Sequence, residues 1–98
     1  MKEYTFDGLG MTTRNMSSDE LKNYKTDHGV LITGVQQFGK AYNQRIGENL
    51  VITSADKKNV DSVSQLKKII DGKKGQAVLL KLVDTNGNSR LVGIDVPK

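Results

Sequence analysis

Val30-Leu31-Ile32-Thr33-Gly34-Val35 narrows the fold more than any other stretch, because it is β-branched and apolar at positions of both parities. Alternate residues of a strand face opposite sides of a sheet, so this run needs cover on both faces and lies centrally. Leu50 to Ala55 supplies a second strand, released by the Gly47-Glu48-Asn49 turn. The last third reads as a hairpin: Ala77 to Asp84, a turn at Asn86-Gly87 whose residues accept positive φ, then Ser89 to Val96, closed by Pro97.

Two helices stand out between the strands. Ser17 with Glu20 three residues on makes a capping box, and Met16 with Leu21 makes the pair of a hydrophobic staple. That helix is short, with Leu21 and Tyr24 on its apolar edge and Asp27-His28-Gly29 as its stop. The stronger helix has Ser62 as N-cap, Gln65 as its N3 partner, Val63, Leu66, Ile69 and Ile70 as apolar positions, and Gly72 as stop. Spacing sends Leu66 and Ile69 into the core, whereas Val63, Lys67 and Ile70 share a neighbouring edge able to line a groove. Phe38 to Ile46 adds one or two helical turns with Ala41 and Ile46 inward.

Composition limits the rest. With 98 residues, 36% apolar and only 5% aromatic, residues 1–98 form one small domain with an aliphatic core, and residues 1–7 are a polar, flexible lead-in. The start at Met1-Lys2-Glu3-Tyr4 reads as that of an excised piece. No cysteine is present, which removes disulfides and thiol chemistry. No apolar run approaches the ~18 residues of a membrane span, and no targeting signal is visible.

The net charge of +4 raises nucleic acid as a partner. Yet the lysines fall as separate pairs, 57–58, 67–68 and 73–74, interleaved with Asp56, Asp61 and Asp71, with no aromatic among them to stack on bases. Catalysis has a thin inventory. His28 is the single histidine, flanked by Asp27, and no serine sits in a nucleophile elbow. Asp84 and Asp95 could face each other across the hairpin, an edge position that water normally solvates. No metal-ligand spacing occurs, so neither a metal nor another cofactor is expected.

The remaining feature is Phe6-Asp7-Gly8-Leu9-Gly10-Met11-Thr12-Thr13-Arg14. Glycines at 8 and 10 let the chain turn tightly and aim consecutive N–H groups into one concavity, a nest for a carboxylate. Leu9 and Met11 would floor it, which suits a peptide with a free C-terminus and an apolar last side chain. A strand from about Met11 to Arg14 follows.

In this order, with the "Gly-Val-Leu-Ile-Thr-Gly-Val" strand and the "Val-Asp-Ser-Val-Ser-Gln-Leu-Lys-Lys-Ile-Ile" helix, the chain resembles the PDZ domains of HtrA/Deg-type serine proteases from about Gly8 to Val96. Two departures from the family pattern, Gln44-Arg45-Ile46 for its Ala-Gly-Leu and Asn49-Leu50 for its Gly-Asp, suggest a diverged copy, such as a second, C-terminal PDZ domain. The resemblance implies a mostly β fold with two helices, a partly open five- to six-stranded sandwich or barrel in HtrA-type strand order. It implies a non-catalytic, regulatory peptide-binding module, its peptide-binding residues being Leu9, Gly10, Met11, Thr12, Thr13, Val63, Lys67 and Ile70. A ligand would add a strand along Met11 to Arg14. Its carboxylate would take the N–H groups of Leu9, Gly10 and Met11, and its last side chain would enter between Leu9, Met11, Val63 and Ile70. The implied partners are peptide or unfolded-protein segments and the protease domain of the parent chain, in a bacterial periplasm or cell envelope. The alternatives are a structural or oligomer-contact domain without an open groove and, third, an anion or nucleic-acid binder using surface lysines.

Overall fold

The computed structural model describes residues 2–98. Strand β1, Glu3–Phe6, turns through residues 7–10 into β2, Met11–Asn15, and pairs with it antiparallel, from Glu3 opposite Arg14 to Phe6 opposite Met11. This corrects the flexible lead-in expected over residues 1–7; Met1, where it begins, lies outside the described residues. Tyr4 and Phe6 do alternate with Glu3 and Thr5, but four residues beside charges carry little periodic signal. The waiting edge of β2 makes them a strand, since it offers main-chain partners to almost any extended segment.

Helix α1, Ser18–Asn23, starts on the expected box: Glu20 N–H donates to Ser17 Oγ at 3.2 Å and Ser17 N–H to Glu20 Oε1 at 2.9 Å. It stops at Tyr24, earlier than Asp27-His28-Gly29, and Lys25 takes φ 55°. Tyr24 O–H donates to the Asn49 carbonyl at 2.7 Å, which ties the end of α1 to the turn before the next central strand.

Strand β3, Val30–Val35, sends side chains both ways, as its composition demands. Val30 and Ile32 enter the main core, while Leu31 joins Tyr24 and Val51 in a smaller cluster against which Met16 packs. Helix α2, Lys40–Asn43, is one turn, and both Ala41 and Ile46 are buried as expected. Asn49, at φ 67°, makes the left-handed turn into β4, Val51–Ala55. A two-residue loop, Asp56-Lys57, with positive φ at both positions (51° and 68°), leads to β5, Lys58–Asn59. Helix α3, Val63–Asp71, precedes β6, Ala77–Val83, and β7, Ser89–Asp95.

Among the described residues, then, seven strands form one sheet in the order β1-β2-β3-β4-β6-β7, with β5 on β4 and every pairing antiparallel. Three helices cover it, and the short α2, β1 and β5 account for the excess over the expected elements.

Two expectations change. On α3, Leu66 and Ile70 are the buried pair and Ile69 is only partly covered, because the core stripe follows the four-residue spacing. In the hairpin, Asp95 stands opposite Ala77 while Asp84 follows the far end of β6, so the two carboxylates are at opposite ends. Asp84 Oδ1 instead accepts from Asn86 N–H and Asn88 N–H at 2.9 and 3.0 Å, and Gly87 takes φ 83°.

Candidate functional site

The Gly8-Leu9-Gly10 turn does gather amides. Leu9 N–H and Gly10 N–H both donate to one oxygen, the Phe6 carbonyl, at 2.9 and 2.8 Å. The turn is held from behind, as Ala41 N–H donates to Leu9 O at 2.9 Å and Gln36 N–H to Gly10 O at 2.8 Å. Gly10 has φ +70°, and a Cβ there would meet Gln36 Cβ and Gly39 Cα, each at 3.3 Å. Its lack of a side chain therefore serves the left-handed turn and its close approach to the segment before α2, not clearance for a ligand.

Past the turn, Leu9 and Met11 are buried and form the apolar floor. Thr12 and Thr13 stand opposite Thr5 and Tyr4 of β1. The Thr5 and Thr12 hydroxyls meet at 3.0 Å on the outer face, and the fully buried Thr13 hydroxyl donates to Tyr4 O at 3.1 Å. Asn15, just beyond, accepts from Val63 N–H at 2.8 Å and so pins the start of α3 to the end of β2. Ile70 lies with Phe6 in the main core, with the partly buried Val63 packed against it. Lys67 is exposed; its Nζ donates to Asp71 at 2.9 Å and stands 6.0 Å from the centre of the Tyr4 ring.

Seven of the eight residues read from the sequence thus adjoin a single object, β1, whereas Val63 is tied to Asn15 instead. Phe6 is buried, Tyr4 meets it edge-on with ring centroids 4.8 Å apart, and a cleft bordered by Tyr4, Phe6, Leu9 and Ile70 runs beside them. Burying one such aromatic is worth ~1.5–3 kcal/mol. Both edges of β2 are therefore paired, with β1 on one side and β3 on the other. Tyr4, Phe6 and Asn15 are the site residues that sequence reasoning missed. Only the Tyr-x-Phe alternation hinted at the first two.

Charges, at the site and away from it, stand in local pairs. Arg14 binds Glu20, with Nη1 to Oε1 at 2.7 Å and a second contact from Nη2 to Oε2. The Arg14 guanidinium, followed by the Ser17 N–H, holds the Glu20 carboxyl down at about 2. Lys73 bonds Asp56 at 2.8 Å, so lysines of two of the three pairs already face carboxylates. His28 Nδ1 lies 2.6 Å from Oδ1 of Asp27, whose carboxyl is lowered chiefly by that hydrogen bond. The pair is exposed at Asp27, as a surface contact would be.

An antiparallel sheet, an amide turn at the head of β2 and a helix alongside define a class: the chain has the PDZ fold, which domains of HtrA-type proteases also have. It is similar to the HtrA3 PDZ domain bound to a phage-derived ligand, FGRWV, with 15% identity, a TM-score of 0.78, and cover of 96% of this chain and 84% of that one. The HtrA-type protease AlgW with a decapeptide is similar at 16% identity in two structures. The TM-score is 0.77 for its serine-to-alanine variant and 0.71 for AlgW itself. In both, cover is 98% of this chain and 29% of the AlgW chain, so the present chain spans under a third of that protease. No protein-family model matches the chain, and no curated protein does.

Proposed function

We propose that this chain is a regulatory, peptide-binding PDZ module of an HtrA-like serine protease. It receives an extended segment with an apolar C-terminal residue by strand addition along β2. The observation that carries the reading is the convergence of the Leu9 and Gly10 amides on one oxygen beside a buried aromatic ring. A carboxylate is a stronger acceptor there than a carbonyl, since hydrogen bonds to charged groups contribute ~1.5–3 kcal/mol. Association costs offset much of the gain, which sets the affinity at micromolar or weaker. In this reading the module does no chemistry. Its partners are peptide or unfolded-protein segments and a protease domain of the same parent, in a periplasm or cell envelope, where such a protease serves protein quality control.

A second reading, a structural domain with a closed groove, has one observation in its favour: both edges of β2 are paired. Nucleic acid has less, because Lys67 and Lys73 are engaged by Asp71 and Asp56.

Titration with short peptides ending in Val or Phe, followed by amide shifts, separates these. The expected result is movement at Leu9, Gly10, Met11 and Thr12 together with Val63 and Ile70, markedly weakened when the peptide ends in an amide. Equal binding of acids and amides, or shifts confined to the lysine pairs, would remove the peptide-module reading. Salt-dependent binding of DNA would support the third.

A further inference from the structure

The groove holds a segment of this same chain, and the way it is held describes what else would fit. β1 runs antiparallel to β2, and its last residue places a carbonyl on the Leu9 and Gly10 amides and a ring in the apolar cluster with Leu9, Met11 and Ile70. Two residues earlier, Tyr4 lies edge-on to that ring, with Lys67 Nζ 6.0 Å above its own. We infer that β1 is a resident occupant of the groove, held on the edge of β2 as an added strand, and that it exchanges with an external extended segment. This rests on the peptide-module reading above and adds its regulation by a competitor within the chain.

The hold on β1 is suited to exchange. It is a four-residue edge strand in which Phe6 alone is buried, whereas β3 is clamped on both faces and both edges. Short edges with few buried contacts open most easily. Leaving nevertheless has a specific consequence. The buried Thr13 hydroxyl loses Tyr4 O, the amide turn loses Phe6 O, and the core cluster loses a ring. Buried polar groups left without partners are unfavourable, so the open state is sparse and invites replacement. What repairs all three losses is an extended backbone with a carbonyl opposite Thr13, an acceptor at its end and a terminal aromatic. A tethered occupant also competes at a high effective concentration, so the external ligand's apparent affinity falls with the fraction of chains that are open.

The test uses the full chain and the free-acid peptide Lys-Glu-Tyr-Thr-Phe, a copy of residues 2–6. Thr5 and Thr12 face each other on the outer surface, so the double variant Thr5→Cys with Thr12→Cys can be oxidised to lock β1 in place and reduced to free it. Exchange requires that the reduced form bind the peptide with shifts at Leu9, Gly10 and Met11, and that the oxidised form bind at least tenfold more weakly. Tyr4→Ala loosens β1 without opening the core and should tighten binding by about two- to tenfold, the range of one aromatic pair. If oxidised and reduced forms bind equally, with acid still preferred over amide, the exchange is wrong while the module reading stands. If neither the reduced form nor Tyr4→Ala binds at millimolar peptide, both are wrong and the groove is permanently closed.

Discussion

Gly10 is held at φ +70°, and a Cβ added there would meet Gln36 Cβ and Gly39 Cα at 3.3 Å, so a β-branched side chain meets both a strained backbone and a filled neighbourhood. Gly10→Val should cost about 1–3 kcal/mol from the left-handed conformation alone, read as a lower denaturation midpoint. Gly47→Ala is the control, since nothing lies within 4 Å of its added Cβ and its φ is ordinary; it should leave the midpoint unchanged or higher. Equal losses at the two sites would mean that the turn geometry is not the cause. Glu20 carries a pH dependence of definite sign. Its carboxyl sits at about 2 in the folded chain against an ordinary 4.5, through Arg14 first and the Ser17 N–H second. A lowered carboxyl stabilises fully above its unfolded value and loses that contribution as pH falls from about 4.5 towards 2. Glu20→Gln should therefore be less stable than the parent at pH 7, with the gap narrowing through that window. Melting temperatures at pH 7, 4 and 2.5 measure it, and a constant gap would exclude the carboxylate as the source.

On α3, one helix shows both what periodicity can place and what it cannot. The cap at Ser62, which accepts Gln65 N–H at 3.2 Å, and the stop at Gly72 are local chemistry and stand where spacing puts them. Gln65 reaches one residue further back than a capping box would, taking Asp61 N–H at 2.6 Å. Leu66 is fully buried and Lys67 exposed, so Leu66→Ala should destabilise by about 2–5 kcal/mol through the cavity it leaves. Lys67→Ala removes an exposed four-residue-spaced pair with Asp71 and a distant approach to the Tyr4 ring, so its midpoint should barely move. Similar shifts of the denaturation midpoint would contradict these faces. The expectation that Ile69 goes deeper than Ile70 fails, because both lie near the boundary of the apolar stripe and spacing alone does not rank them. Packing against the cluster that includes Phe6 decides for Ile70.

For the whole molecule, the expected outcome of an activity assay is no proteolysis: the pure chain should leave casein intact, and His28→Ala should change nothing. Turnover abolished by that substitution would overturn the non-catalytic reading. Local chemistry along the chain sets the central strand, the two capped helices, the glycine turn and the Asn86-Gly87 reversal. In each, the decisive physics acts within a few residues: side-chain alternation, a capping hydroxyl, a backbone freed to take positive φ. What fills the groove is set by long-range packing. Main-chain hydrogen bonding between strands is nearly indifferent to side chains, so Glu3–Phe6 becomes a strand because β2 presents an unpaired edge with a pocket for Phe6 at its head. The surroundings of that edge are built by Asn15 holding the start of α3 and by the Leu9–Gly10 turn bonded to the segment at Gln36 and Ala41, contacts that span up to 48 residues of chain and leave no local pattern in it.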